Sequence, residues 1–97
     1  MNFVYQNQGI EFEWNINKAE SNFIKHSVRF EEAVEVFFDP FYQEGDASDN
    51  NEKRDFILGY SLSQRLLLVV YVERKTRNRI ISAPLATKSE RRLYEQS

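Results

Sequence analysis

The chain has one histidine, His26, and it follows a lysine, Lys25. Imidazole is the side chain best suited to move a proton near neutral pH, and the adjacent ammonium can hold a phosphate. The plainer alternative is a surface histidine at a helix C-terminus, where the dipole favours positive charge. A second set is built from arginine. Arg65 precedes a long apolar run, Arg74 follows it, and Arg77 and Arg79 open the next segment. In an antiparallel hairpin Arg74 and Arg79 would lie close, and alternating positions would put several guanidinium groups on one face. Guanidinium is a permanently charged planar fork that matches phosphate. Such a cluster suits phosphodiester cleavage without a metal: one arginine grips the scissile phosphate, others stabilise the charge of the transition state, and RNA brings its own 2′-hydroxyl nucleophile. The competing reading is strand-end arginines that blunt a sheet edge. Glu73 is the acid nearest this set and is expected to orient it through a salt bridge. A third set, Arg91, Arg92 and Tyr94, falls near the C-terminus, with Arg91 spaced to pair with Glu95. Arg77, Arg91 and Arg92 are the candidate RNA-binding residues.

Other chemistries are poorly supplied. There is no cysteine, so there is no disulfide, thiolate metal site or thiol nucleophile. One histidine argues against a His-based metal centre, and neither a metal nor a cofactor is expected. Gly9, Gly45 and Gly59 are too far apart for a phosphate-binding loop. The aromatic side chains Phe3, Tyr5, Phe41 and Tyr42 look too scattered to make a stacking platform. The formal net charge of -2 conceals an asymmetry. Residues 1–52 carry three basic and eleven acidic side chains, whereas residues 53–97 carry ten basic and four acidic. Eight of the thirteen basic residues are arginine. The C-terminal half therefore offers cationic surface to an anion such as nucleic acid, unless the two halves pair with each other.

The elements that must position these groups are legible as hydrophobic periodicity. Ile10 to Trp14, I-E-F-E-W, alternates as a half-buried strand. Asn15 or Asn17 can cap a helix over Lys18 to His26. Phe30 to Phe38 repeats apolar residues at three and four, with Glu31, Glu32 and Glu35 on the wet face. Asp39-Pro40 ends that helix. Residues 44–52 read as an acidic solvated loop, with Phe41 and Tyr42 before it as a short edge strand. Arg54 to Ser61 and Leu66 to Val72 read as strands, the second as a central one covered on both faces. Lys75 to Asn78 turns the chain into a strand over Arg79 to Ala83. Thr87-Lys88-Ser89-Glu90 is a capping box that opens a last helix through Tyr94. The expected architecture is α+β: one small domain over 1–97, a mainly antiparallel sheet, two N-terminal helices and a C-terminal helix, with the helices on one side. No apolar run reaches the ~20 residues of a membrane span. Met1 to Trp14 holds two glutamates and no basic residue, unlike a signal peptide, so a cytoplasmic address and no membrane partner are expected.

Several runs together carry a resemblance. They are F-E-W-N-x-N-K-A-x-x-N-x-x-K-H-x-V-x-F-E-E-A-x-x-V-F-x-D-P from Phe12 to Pro40, G-Y-S at Gly59, R-L-L-L-V-V-Y-V-E-R at Arg65, R-I-I-S-A at Arg79 and A-T-K-S-E-R-R-L-Y-E at Ala86. In this order and spacing the chain resembles the BrnT toxins of bacterial type II toxin–antitoxin pairs. The resemblance implies a RelE-like fold and metal-independent endoribonuclease activity that arrests translation. It implies neutralisation by a BrnA-like antitoxin, and binding of operator DNA through the antitoxin complex. A homodimer, or an assembly of two toxins with two antitoxins, is the implied oligomer. It raises Lys25, His26, Arg65, Arg74 and Arg79 as active-face residues without saying which moves protons. The alternative is a non-catalytic module that binds the antitoxin and acts as a transcriptional co-repressor.

The chain departs from the family pattern at named positions. Asn15-Ile16 stands where the family usually has Asp-Pro, Ser27 stands for a glycine, and Arg29 stands for a Ser or Thr cap. Pro84 stands where the family has an arginine of the cationic face. Proline also lacks the backbone N–H of a sheet ladder. Pro84 is therefore expected to attenuate the activity.

Overall fold

A computed structural model describes residues 1–96. The alternating segment forms β2 (Ile10–Asn15), with Phe12 and Trp14 buried and Glu11 and Glu13 turned to the other face. It is preceded by a strand that the sequence reading left unassigned, β1 (Asn2–Asn7). The two form a hairpin whose turn residues, Gln8 and Gly9, both have positive φ (52° and 82°). That is the backbone twist a two-residue hairpin requires. Phe3 and Tyr5 are thereby not scattered: both rings pack on Trp14, with centroids 5.4 and 5.5 Å away.

Asn15 caps α1 (Ile16–His26) by accepting from the amides of Asn17 and Lys18. The Asn-Ile departure thus keeps a working cap. α1 ends at Ser27, whose φ of 58° is left-handed. Such backbone favours glycine because the Cβ crowds the following carbonyl. Ser27→Gly is expected to stabilise the fold by about 1 kcal/mol, which for a domain of this size raises Tm by about 4–8 °C. Thermal unfolding of the two proteins measures it, and an unchanged or lowered Tm would show that the serine carries no strain.

The second apolar repeat is split into α2 (Phe30–Glu35) and a 3-10 turn (Val36–Phe38). Arg29 precedes α2 without a side-chain cap bond, and its guanidinium lies 4.3 Å from the Phe23 ring centroid instead. β3 (Gln43–Asp46) overlaps the start of the 44–52 segment read as a loop, and Phe41 and Tyr42, read as an edge strand, lie outside it. Its pairing with β4 (Asp55–Tyr60) lets Gly45 sit where a Cβ would strike the Phe56 ring at 2.5 Å. β5 (Leu66–Arg74) and β6 (Arg77–Ser82) form the next hairpin, and α3 (Lys88–Glu95) starts with the expected capping box at Thr87 and Glu90.

The six strands make one sheet in the order β1-β2-β6-β5-β4-β3. All its pairs are antiparallel except β2 with β6. α1 and α2 supply Val28, Phe30, Ala33 and Val34 around them to a core shared with Phe12, Trp14, Ile57, Leu67, Val69 and Ile80. α3 buries no residue and packs at the end of β4, so it does not join that helical layer. By strand alternation the opposite face carries Glu11, Glu13, Phe56, Leu58, Tyr60, Leu66, Leu68, Val70, Val72 and Arg79. Among the described residues no helix is long and apolar enough to cross a membrane.

Candidate active site

The strand geometry keeps Arg74, Arg77 and Arg79 on one face of the β5–β6 hairpin and sets Arg65 apart from them. β5 has nine residues, about 30 Å of extended chain. Arg65 lies just before its first residue and Arg74 is its last. Arg74 faces Arg77 across the Lys75-Thr76 turn, whereas Arg79 pairs with Val72 further along. Arg74 and Arg79 are therefore diagonal neighbours on one face and not directly opposite. The cause is the two-residue turn, which starts β6 at Arg77 instead of Arg79.

Three of these arginines are held by carboxylates. Arg77 Nε donates to Glu11 (2.8 Å) and its Nη1 lies 3.6 Å from Glu13. Arg79 Nη1 donates to Glu13 (2.7 Å) and Nη2 to the Asn2 side chain (3.3 Å). Arg79, ahead of Arg77, holds the Glu13 carboxyl below its ordinary range despite its burial. Glu11 and Glu13 are the outward residues of I-E-F-E-W, so that alternation was the signal for this clamp. Glu73 does not take the part expected of it. It pairs with Asn78 and lies with Asp55 and Glu44 around Tyr71, whose hydroxyl is pushed up to about 12 by burial and then by those carboxylates.

Arg65 turns to the helical layer. Its Nε donates to Glu32 (2.9 Å), and one Nη reaches both Glu32 and the Ser27 carbonyl (2.8 Å to the latter). Ser61 and Ser63 hydroxyls also donate to Glu32, at 2.7 and 2.8 Å. Arg65 first, then the two serines, holds the Glu32 carboxyl down at about 2, against the opposing effect of burial. This arginine joins the end of α1 to α2 and the β4–β5 turn, a structural task.

Lys25 and His26 sit in the last turn of α1, beside the end of β6. With Lys18, Ser21, Ile81 and Ser82 they line a recess of about 240 Å³. The recess exists because β2 pairs with β6 only through Arg79, and α1 then fills the place beside the rest of β6. Asn22 fixes that junction. Its buried amide donates to the carbonyls of Val28 (3.0 Å) and Ala83 (3.1 Å) and accepts from the Ala83 amide (2.9 Å). Lys18, Ser82 and Asn22 were not singled out as site residues, because only the fold brings residues 18–26 beside 81–83.

Pro84 follows two residues after Ser82. Its carbonyl accepts from the Leu68 amide (3.1 Å), while Ala86 donates to the Leu66 carbonyl (2.9 Å). The isolated Leu67–Leu85 bridge continues the β5–β6 ladder at this point. The register leaves the Leu68 carbonyl facing a residue without an N–H. Pro84 shares the face of Leu68, next to the Ser82 end of the recess.

α3 places Arg91 and Arg92 on its exposed surface. Arg91 donates to the Tyr60 hydroxyl (3.2 Å) instead of pairing with Glu95. Tyr94 packs edge-to-face on Tyr60, centroids 5.3 Å apart, and donates to Asp39 (2.7 Å). Arg74 and Arg77, at the far end of the β5–β6 hairpin, are thus remote from the Lys25–His26 recess, Arg65 bonds the Ser27 carbonyl next to His26, and position 84 is two residues from Ser82.

A family model described as the ribonuclease toxin, BrnT, of type II toxin-antitoxin systems matches residues 14–90. A search of curated proteins returns no match.

Proposed function

From the premise that the chain belongs to the BrnT family of ribonuclease toxins of type II toxin–antitoxin systems, we propose that it cleaves RNA without a metal, in the recess between α1 and the end of β6. The observation that carries this reading is the gathering of Lys18, Lys25 and the only histidine around one open recess. Ammonium groups there draw a phosphate, and no carboxylate lines the recess to oppose it. A bond forms from the substrate's 2′-oxygen to phosphorus and the bond to the 5′-oxygen breaks, leaving a 2′,3′-cyclic phosphate. The 2′-hydroxyl proton leaves to a side-chain base, and the departing 5′-oxygen takes a proton from an acid. Lys25 and His26 are the carriers within reach of one phosphate. The remaining lysine charge offsets the build-up on the phosphoryl oxygens. Translation arrest in the cytoplasm follows if the RNA is messenger. A BrnA-like antitoxin would neutralise the chain by covering the recess, and operator DNA would be bound through that complex.

The test is purified chain with RNA in EDTA. Cleavage that persists, leaves cyclic phosphate ends, and falls about a hundredfold in His26→Ala or Lys25→Ala is the expected result. Lys25 is exposed and His26 half-buried, and neither belongs to the buried core, so neither change removes a core side chain. Intact RNA at high protein concentration, with antitoxin still bound, would establish the second reading: a binding module that serves as co-repressor. Pro84 favours that second reading, since it removes both the family's guanidinium and a ladder N–H beside the recess.

A further inference from the structure

Four aromatic rings from three segments distant in sequence meet where β4 ends and α3 packs. Phe41, Tyr42, Tyr60 and Tyr94 line a cleft of about 560 Å³ with Gln43 and Glu95. Phe41 is 72% exposed and Tyr42 is 40% exposed, so both rings offer surface to solvent. The cleft is built, not incidental. Buried Asp39 organises it: one carboxylate oxygen accepts from the Phe41 amide (2.9 Å), the other from the Tyr60 amide (2.8 Å) and the Tyr94 hydroxyl (2.7 Å). Gly59 permits that approach, since a Cβ there would come within 3.0 Å of Asp39. Arg91 is fixed at the rim by the Tyr60 hydroxyl. Tyr94 and Glu95 lie beyond the matched residues 14–90, so the family match does not extend to the whole cleft.

We propose that this cleft takes an unstacked nucleobase of a single RNA strand, stacked on Tyr42 or Phe41, with Arg91 and Arg92 on its phosphates. The proposal rests on the RNA-cleaving reading, and extends it to a base subsite. Flat, half-exposed rings suit the π-face of any base, and guanidinium beside them suits the backbone. The polar tips of Gln43 and Glu95 can meet the hydrogen-bonding edge of the base. An aliphatic helix of a partner protein would leave those groups unsatisfied. From Ser82 of the recess to Tyr60 of the cleft the path crosses the sheet by two strands, about 10 Å, and follows β4 for four residues, about 13 Å, a span of a few nucleotides. One strand of RNA can therefore occupy both places.

The experiment uses the full chain and a short 2′-O-methyl RNA carrying 2-aminopurine, which cannot be cleaved. Binding is expected to quench the 2-aminopurine. Phe41→Ala and Tyr42→Ala, both at exposed positions, are expected to lose the quenching and raise Kd about tenfold. Tyr42→Phe should retain both signals. Quenching and Kd unaltered in both alanine variants would overturn the proposal. So would alanine variants that weaken antitoxin binding while leaving RNA binding intact, which would make the cleft a protein-docking surface. Because the probe has no free 2′-hydroxyl, absent cleavage of ordinary RNA with quenching intact would sink the nuclease reading and leave the base subsite standing.

Discussion

Pro84→Arg raises the rate of EDTA-resistant RNA cleavage about a hundredfold over the chain as it stands, the scale on which one well-placed donor to a developing anion acts. Position 84 lies on the face of Leu68, two residues from Ser82 of the recess that holds Lys25 and His26. An arginine there supplies a forked donor to the phosphoryl oxygens. It also restores the N–H that the Leu68 carbonyl faces across the ladder. The two contributions separate in a control. Pro84→Ala restores the N–H without the guanidinium, so it should recover stability and little activity. If Pro84→Ala gained as much rate as Pro84→Arg, the gain would belong to backbone repair. If Pro84→Arg cleaved no faster than the present chain, position 84 would have no part in the site. Cell growth on expression without antitoxin should follow the same order, with Pro84→Arg the most harmful.

The periodic segments of the sequence translated well into elements, because burial on one face leaves a pattern in each. I-E-F-E-W, the Leu66 run, the Thr87 capping box and the Asp39-Pro40 stop all appear where local chemistry places them. β1 was harder to see. It is an edge strand whose Phe3 and Tyr5 gain their burial only from Trp14 of the next strand, and its outer residues are uncharged. β3 was hidden for a related reason: Q-E-G-D has no apolar side chain, and its pairing follows from the neighbouring Phe56 ring that covers Gly45. The Lys25–His26 pair stood out from residue type alone, whereas the family and position 84 came from the resemblance. What no local pattern contained was register. A two-residue turn in place of the four residues read there moved Arg74 and Arg79 out of step. The partners of Arg65, Arg77 and Arg79 lie at sequence separations of 33 to 77. The aromatic cleft escaped notice on the same ground, since Tyr42 and Tyr94 meet only when Asp39 draws their segments together.

Glu32→Gln costs the fold about 2–3 kcal/mol near neutral pH, and the cost shrinks as the pH falls. The Glu32 side chain is 16% exposed and that of Arg65 33%, so water screens the pair only in part. A glutamate with an ordinary pKa of 4.5 is held at about 2 by Arg65, Ser61 and Ser63. Its folded-state value is depressed, so its stabilisation is full above about 4.5 and is lost as pH falls through about 2. Glutamine cannot titrate, and it leaves Arg65 beside the α1–α2 junction without its countercharge. Urea unfolding of both proteins at pH 7, 4, 3 and 2 should show the gap widest at pH 7 and nearly closed at pH 2. A gap that stays constant with pH would mean that the carboxylate charge contributes nothing. Arg65→Ala should destabilise at least as much, because it orphans the Glu32 carboxylate and frees the Ser27 carbonyl together. That outcome bears on function as well. Arg65 belongs to the family's R-L-L-L-V-V-Y run, and a loss of activity in Arg65→Ala would otherwise pass for a catalytic effect. Cleavage per folded molecule, measured well below the variant's Tm, separates the two: it should be reduced little if Arg65 acts by holding α1 in place behind Lys25 and His26. A hundredfold fall in a fully folded variant would instead put its guanidinium on the phosphate.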